Sequence, residues 1–329
     1  MVSVTPPTVL DSPVLGEYGT RPSSSTRPMR EVLMSQASSL PRPRVLLSGL
    51  AYVESPRWHD GRLWFAHWGT GEIVAVAPDG SSEVAASGPP GLGWSIDWLP
   101  DGRLLVTGED LMRREPDGSM VLHADLSGLA PFWNELVVDG RGNIYVNSIR
   151  FGFRAGAPPE SGIIALVTPD GTAREVAGDL EFPNGMVVTP DNKTLIVSES
   201  FAGRLTAFDI AADGSLFNRR TWADGLAPDG ICMDADGAIW AGAADVAIAT
   251  GRADSPQGAV VRVHEGGKVT DRIEHEQVIF ATMLGGPDRT TLFLLAAEFR
   301  GVEHMDESVA ARTGQVLTAT APTPGAGRP

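Results

Sequence analysis

Residues 133–146, with the sequence WNELVVDGRGNIYV, contain a short apolar strand, an Asp-Gly turn and a second apolar strand. The same order of elements returns five more times along the chain. One residue opens the first strand of each repeat, and these six marker residues lie 40 to 51 residues apart: Glu54, Trp94, Asn134, Asn184, Asp229 and Phe280. A repeat of this length, made of short strands and tight turns, is typical of one blade of a β-propeller.

The second strand of each repeat is equally regular. The predicted second strands are Leu63–Phe65, Leu104–Val106, Ile144–Val146, Leu195–Val197, Ile239–Ala241 and Leu292–Leu294. The turns that precede them are rich in Asp, Asn and Gly, which tolerate positive φ or bond to their own backbone. No segment has a long helical period. The sequence therefore predicts an all-β fold, a six-bladed β-propeller.

The ends of the repeat region predict how the ring closes. A propeller leaves two exposed strand edges unless its first and last strands meet. The apolar stretch 44–48 before the first marker can pair with 314–318, which would place the N-terminal strand in the last blade. We therefore predict a propeller and catalytic domain over residues 44–329. Residues 1–43 contain seven prolines and few bulky apolar groups, and they predict a disordered or surface-hugging arm.

Composition narrows the class of protein. The formal net charge is −15, and no basic patch indicates a nucleic-acid partner. The chain has no apolar run long enough to span a membrane and no apolar region of the signal-peptide type. Cys232 is the only cysteine, so an internal disulfide is excluded, which fits a reducing compartment. These features predict a cytoplasmic protein with a small-molecule substrate and leave the oligomeric state open.

The marker residues also predict a metal site. Equivalent positions of a propeller converge at its axis, and four of the six markers carry side-chain oxygens: Glu54, Asn134, Asn184 and Asp229. Calcium prefers six to eight oxygen ligands and accepts irregular geometry. We therefore predict one Ca²⁺ at the channel mouth, with Zn²⁺ or Mn²⁺ as other possible occupants. The alternative is that these polar groups only cap the inner strands, since PNG and PDG are ordinary turn sequences.

Common catalytic signatures are absent from the sequence. It contains no G-x-S-x-G elbow, no H-E-x-x-H pair, no cysteine pair for zinc and no Walker loop. An open-sited metal could instead act as a Lewis acid that polarises a carbonyl or phosphoryl oxygen. Asn134 and Asn184 could also steady the developing oxyanion. A non-catalytic ligand-binding propeller remains the alternative, because a fold alone does not establish chemistry.

Four motifs in order, VESPRW, WNELVVD, FPNGMVVTPD and APDGICMDADG, resemble the family of senescence marker protein, gluconolactonase and luciferin-regenerating enzyme. The resemblance implies a six-bladed propeller with one divalent metal at the channel mouth. It also implies a calcium-dependent hydrolase of the lactonase or esterase type, with phosphotriester hydrolysis known among relatives. By the same resemblance, Asp229 is a metal ligand that also serves as base toward water, or attacks the carbonyl directly.

Three departures from the family pattern point away from a sugar lactone. Phe132 stands where sugar lactonases have an arginine, Glu135 stands where an aspartate is common, and no acidic sugar contact lies near Gly152. The predicted substrate pocket is apolar instead, with Trp94, Phe132, Trp133, Phe151, Phe280 and His67. We therefore expect a hydrophobic lactone or ester; a cyclisation or isomerisation of a specialised metabolite is the non-hydrolytic alternative. The Ala- and Gly-rich run 241–258 predicts a loop that partly covers the mouth.

Overall fold

The computed structural model describes residues 37–243 and 258–327. Within these ranges, 25 strands form six sheets arranged as the blades of a propeller. Neighbouring strands are antiparallel in every blade, apart from one short parallel strand on an outer edge. The predicted six-bladed all-β propeller is therefore confirmed.

The described chain begins with two strands that join later blades, β1 (Ser38–Ser39) and β2 (Arg44–Leu50). The first blade contains β3 (Val53–His59), β4 (Arg62–His67), β5 (Glu72–Val76) and β6 (Ser82–Ser87). The second contains β7 (Ile96–Trp98), β8 (Leu104–Val106), β9 (Leu111–Arg114) and β10 (Met120–Ala124). The third contains β11 (Leu136–Val138), β12 (Ile144–Ser148), β13 (Gly162–Val167) and β14 (Ala173–Leu180).

The remaining blades follow the same plan. The fourth contains β15 (Pro183–Val188), β16 (Thr194–Glu199), β17 (Arg204–Ile210) and β18 (Leu216–Asp224). The fifth contains β19 (Cys232–Met233), β20 (Ile239–Gly242), β21 (Gly258–Val263) and β22 (Val269–His275), and the sixth contains β23 (Val278–Gly285), β24 (Thr291–Ala297) and β25 (Gly314–Thr320). Short 3₁₀ turns lie at Phe153–Ala155 and Val302–His304, and one helix, α1 (Met305–Ala311), precedes β25. Every predicted second strand lies within an observed one.

The ring closes in the sixth blade as predicted. Strand β2 pairs antiparallel with β25, with Arg44 opposite Thr318 and Leu50 opposite Gly314. A Cβ atom on Gly314 would collide with the carbonyl oxygen of Ala51. Glycine is therefore needed at the start of the closing strand, because the two backbones approach each other directly.

The core lies between neighbouring blades, where apolar side chains of inner strands pack face to face. At the junction of the first and sixth blades, Trp58 stacks on Phe293 with ring centroids 5.5 Å apart. Gly285 leaves the space that this indole fills, since a Cβ there would collide with Trp58. The side chain of Cys232 is also buried in this core.

The C-terminal segment 321–327 lies across the turn end of the channel, opposite to the marker residues. The Ala235 amide donates to the Pro324 carbonyl at 2.8 Å, and the Gly325 amide donates to the Arg289 carbonyl at 2.8 Å. A cavity of about 190 Å³ separates this segment from the turns of the third and fourth blades. The marker end is therefore the end of the channel that this segment leaves uncovered.

Residues at the edges of the predicted domain are only partly described. Ser38 and Ser39 pair in parallel with β22 on the outside of the fifth blade; residues 1–36 of the predicted arm lie outside the described residues. Most of the predicted loop 241–258 also lies outside them. No helix within the two described ranges has the length and apolar character needed to cross a lipid bilayer.

Candidate metal centre and active site

The four oxygen-bearing markers lie at the same end of the channel. Glu54 and Asn184 stand in the first residues of the inner strands β3 and β15. Asn134 lies two residues before β11, and Asp229 lies three residues before β19. Because each inner strand runs from the mouth toward the turn end, the starts of the first, third, fourth and fifth blades bring these side chains to one rim.

A repeated hydrogen bond fixes the backbone of three markers. The side chain of a polar residue at or just after the end of the second strand of one blade donates to the carbonyl oxygen of the marker in the next blade. The three bonds are Thr107 to Asn134 at 2.7 Å, Asn147 to Asn184 at 2.6 Å and Ser198 to Asp229 at 2.8 Å. We call these bonds the blade latches. They direct the marker carbonyls toward the neighbouring blade and hold the chain where each marker side chain leaves it.

Sequence analysis missed the latch residues, although a signal for them exists. Thr107 and Asn147 occupy the same position of otherwise apolar strands, in LLVT and IYVN, and Ser198 follows LIV in the next repeat. A polar side chain that recurs at one position of a buried strand needs a hydrogen-bond partner. The marker carbonyl of the next blade supplies that partner.

Ser200 connects the fourth and fifth blades at the rim. Asn184 Nδ2 donates to Ser200 Oγ at 3.4 Å, and Ser200 Oγ donates to the carbonyl of Pro228 at 2.8 Å. Pro228 directly precedes Asp229, so one hydroxyl ties the Asn184 side chain to the Asp229 segment. This contact uses the amide nitrogen and leaves Asn184 Oδ1, the atom that a hard cation would bind, available.

Two of the markers are carboxylates that repel each other. Glu54 is buried, and burial, followed by the negative charge of Asp229, raises its pKa well above its usual range. Burial, followed by the charge of Glu135, raises the pKa of Asp229 to about 8. Desolvation and like charges both disfavour the ionised form of a carboxyl. A bound cation would relieve both effects, so this carboxylate pair fits a divalent metal.

Glu135 is buried and links the first three blades. Its carboxylate accepts hydrogen bonds from Ser95 Oγ at 3.1 Å and from Arg57 Nη2 at 3.4 Å. Arg57 Nη2 also donates to the carbonyl of Leu136 at 2.7 Å. Burial raises the pKa of Glu135, although Arg57 opposes this shift. The negative charge of Glu135 contributes to the raised pKa values of Glu54 and Asp229.

Tyr52 is a site residue that sequence analysis did not identify. Its side chain is 2% exposed, and its hydroxyl has no hydrogen-bond partner within the part of the chain that the structure describes. Burial, followed by the charges of Glu54 and Asp229, raises its pKa. The ring lies 5.1 Å from that of Phe280. A buried O–H without a partner near two carboxylates is costly, so Tyr52 is a candidate hydrogen-bond donor at this site.

The donor set fits a hard cation through its chemistry. Two carboxylates and two amides offer only oxygen ligands at the rim, as Ca²⁺ prefers. Among residues 37–243 and 258–327, no group of three or more His, Cys, Asp or Glu side chains is arranged to hold a metal ion. The candidate site contains only two residues of those types and depends on Asn134 and Asn184 for the rest.

Three residues of the predicted pocket are core residues. The indole of Trp133 is fully buried, and that of Trp94, at 1% exposure, fills the space beside Gly88. His67 is buried too, with Nε2 accepting the Ala51 amide at 2.9 Å. Large rings and a hydrogen-bonded imidazole are most stable when packed in the blades, so these side chains offer no surface to a substrate. Phe132 and Phe280 are half-buried.

Phe151 belongs to an aromatic cluster on the same end of the propeller. It lies 6.2 Å from Phe153 and 6.0 Å from Phe182 between ring centroids, and Phe182 stacks on Phe201 at 4.4 Å. Phe182 precedes the Asn184 marker, and Phe201 follows the second strand of the same blade. Sequence analysis missed Phe182 and Phe201, because their contact joins loops that are distant in sequence.

The fold and the rim define a six-bladed propeller with oxygen donors at one mouth of its channel. Residues 52–298 match the SMP-30/Gluconolactonase/LRE-like region, and the chain belongs to that family. The resemblance found in the sequence motifs is therefore confirmed.

Solved structures share the whole fold. A luciferin-regenerating enzyme aligns over 86% of this chain and 97% of its own, with 17% identity and a TM-score of 0.69. Regucalcin from Agrobacterium tumefaciens str. C58, a calcium-binding protein, aligns over 88% and 97%, with 21% identity and a TM-score of 0.68. A gluconolactonase from Xanthomonas campestris aligns over 85% and 95%, with 21% identity and a TM-score of 0.61. At these identities the likeness establishes the fold.

Proposed function

We propose that this protein is a metal-dependent hydrolase that opens a lactone or an ester, and that its substrate is hydrophobic rather than a sugar lactone. One observation carries the proposal: the carboxyl groups of Glu54 and Asp229 interact at the channel mouth, where Asn134 and Asn184 occupy the equivalent positions of their own blades. A carboxylate fixed at such a site is suited to accept a proton from water. Membership of a family that includes gluconolactonases supports the lactonase class.

Four side chains would hold the metal: Glu54, Asn134, Asn184 and Asp229. We propose Ca²⁺ as the resident ion, since the set is all oxygen and two of its members are neutral amides; Zn²⁺ or Mn²⁺ could occupy the same oxygens. When bound, the ion supplies Lewis acidity that polarises the substrate carbonyl. Its charge also lowers the pKa of Asp229, so activity persists to lower pH than the metal-free value of about 8 implies.

The protein residues manage the proton and the oxyanion. A water oxygen attacks the carbonyl carbon while Asp229 accepts the proton that the water loses. The bond from the carbonyl carbon to the ring or ester oxygen then breaks, and Asp229 returns the proton to that leaving oxygen. Asn134 is the better amide to steady the oxyanion, because Nδ2 of Asn184 already donates to Ser200.

The apolar preference rests on what faces the mouth. Phe132 is half-buried at the rim and offers no hydrogen bond to a sugar hydroxyl. Phe151 and the rings that pack on it extend the apolar surface along the third and fourth blades. A polyhydroxylated lactone would lose hydrogen bonds to water there without replacement.

Turnover of a substrate panel tests the proposal. Gluconolactone, hydrophobic lactones, aryl esters and phosphotriesters would be assayed with and without chelator. We expect hydrophobic lactones or esters to be the best substrates, and chelation to remove the activity. Asp229→Asn should lower the rate on the order of 10²–10⁴-fold while it keeps much of the metal affinity. Asp79→Asn is the matched control, since Asp79 is exposed on an outer turn and bonds only locally to Ser81.

Each alternative has its own outcome. A metal-loaded protein that hydrolyses nothing in the panel would indicate a ligand-binding propeller, or an isomerase or cyclase. Preference for phosphotriesters would indicate the phosphotriesterase alternative. Near-full turnover by Asp229→Asn would refute the assignment of the base, and gluconolactone as the best substrate would refute the apolar pocket.

Metal analysis tests the ligand set separately. After gentle desalting, we expect one divalent ion per wild-type chain and a large loss of bound ion in Glu54→Ala and Asp229→Ala. An ion content that is equal in wild type and in both variants would exclude these residues as ligands.

A further inference from the structure

Four phenylalanine rings form one continuous packed cluster on the marker end of the propeller. Phe182 and Phe201 are stacked at 4.4 Å with an interplanar angle of 28°. Phe153 meets Phe182 at 5.0 Å and 70°, and Phe151 meets Phe153 at 6.2 Å and 89°. The rings therefore pack both face to face and edge to face, the two arrangements in which aromatic side chains bind another aromatic ring.

This aromatic cluster is coupled to the proposed site by backbone bonds. The Ser200 amide donates to the Phe182 carbonyl at 3.0 Å, and the Phe201 amide donates to the Glu181 carbonyl at 3.3 Å. The hydroxyl of Ser200 contacts the side chain of Asn184 at 3.4 Å. The stacked pair thus stands directly beside a proposed metal ligand.

The rings of the cluster differ in how far they are exposed to solvent. Phe151 is 4% exposed, whereas Phe201 is 51% exposed. Phe201 thus holds a free apolar surface at the rim, supported from behind by rings packed into the protein. An exposed aromatic patch of this kind on a rigid support is characteristic of ligand-binding surfaces.

The backbone at two points of the cluster is strained. Phe182 has a φ of +57°, and Arg150, which precedes Phe151, has a φ of +64°. A bulky residue is disfavoured in the left-handed region, and such strain concentrates at functional sites. Here the strained conformation sets the direction of the Phe182 side chain.

We propose that the aromatic cluster is the subsite for an aryl group of the substrate, and that the protein therefore acts on aryl-substituted lactones or esters. The inference rests on the proposed hydrolase function and specifies its substrate class. The aryl group stacks on the exposed part of Phe201, while the carbonyl group reaches the rim between Asn184 and Asp229.

Paired substrates test the subsite. The lactones would be γ-phenyl-γ-butyrolactone and γ-butyrolactone, which differ only in the phenyl group. We expect Phe201→Ala to lower kcat/KM for the phenyl lactone about tenfold, mainly through KM, because one stacking surface is lost. The value for the unsubstituted lactone should change less than about twofold. Phe201→Leu, which keeps bulk without aromaticity, should fall between wild type and Phe201→Ala.

The fourth blade provides a matched control. Phe217 is 53% exposed on the outer strand β18, so Phe217→Ala removes a phenylalanine of the same exposure away from the rim. It should leave both substrates unaffected. An equal loss for both lactones in Phe201→Ala, or the same loss in Phe217→Ala, would overturn the subsite.

A binding measurement separates this inference from the hydrolase proposal. Calorimetry with 2-phenyltetrahydrofuran, which carries the phenyl group on a ring that cannot be hydrolysed, should show binding to wild type and about tenfold weaker binding to Phe201→Ala. Binding without hydrolysis of either lactone would keep the aryl subsite and overturn the hydrolase. Absence of binding to wild type, or equal binding to both proteins, would overturn the aryl subsite.

Discussion

In the absence of a bound metal, the contribution of Asp229 to the stability of the protein should fall as pH rises. The pKa of Asp229 is raised from 3.8 to about 8 in the folded chain. Between these values the folded state holds a proton that the unfolded state has lost. The stabilisation from Asp229 is therefore complete at low pH and is lost as pH rises through this window.

The magnitude follows from the linkage relation. One proton of difference changes the free energy of unfolding by about 1.4 kcal/mol per pH unit. Between pH 5 and pH 7, Asp229 alone should therefore lower the free energy of unfolding of the metal-free protein by about 3 kcal/mol. Burial lowers the pKa of His67, His123 and His275, and this acts in the opposite direction, since unfolded histidines take up protons below about pH 6.5.

A comparison with Asp229→Asn removes the histidine contribution. Both proteins would be unfolded with urea in the presence of chelator at pH 5, 6 and 7. As pH rises, the free energy of unfolding of Asp229→Asn should increase relative to that of wild type by about 1.4 kcal/mol per pH unit. The free energy of unfolding of Asp79→Asn should change with pH as that of wild type does. Added Ca²⁺ should stabilise wild type more at pH 7 than at pH 5. Parallel stability curves for wild type and Asp229→Asn would refute the reasoning.

Three further variants probe the surroundings of the site. Tyr52→Phe should keep the free energy of unfolding within about 1 kcal/mol of wild type, because the hydroxyl has no partner among the described residues; a urea-unfolding loss above that would reveal a protein partner. Ser198→Ala should lose about 1 kcal/mol and bind Ca²⁺ more weakly in calorimetry, and unchanged affinity would dismiss the latch as a support of Asp229. Gly314→Ala should destabilise by roughly 2 kcal/mol or more, because a Cβ collides with the Ala51 carbonyl at the ring closure; an unchanged melting temperature would contradict this.

The sequence predicted the blades well because their signal is local. Leu104–Val106 and Ile144–Val146, for example, combine apolar runs with Asp- and Gly-rich turns, and both are strands in the structure. Closure by residues 44–48 was also predictable, since an unpaired strand edge had one suitable partner left. The family resemblance followed from motifs that lie within these same repeats.

The pocket was harder to predict, because the direction in which a side chain points depends on residues that are distant in sequence. Trp94 stands at a marker position, yet its ring turns into the core. The free energy gained by burying an indole is larger than any preference of that repeat position for the channel. The stacking of Phe182 on Phe201 joins residues from two loops, and Tyr52 is notable only for the charges around it. Such features depend on how side chains meet across blades, which the repeat pattern does not contain.

The blade latches tie the rim to the integrity of the whole ring. Thr107, Asn147 and Ser198 each belong to one blade and hold the marker of the next, so three of the four proposed ligand positions depend on two blades each. An opening between two latched blades would shift a proposed ligand away from its partners and hasten release of the proposed ion. Because binding and opening are linked, an ion bound at the rim would stabilise the closed ring. The dissociation rate of the ion should therefore measure how often neighbouring blades separate.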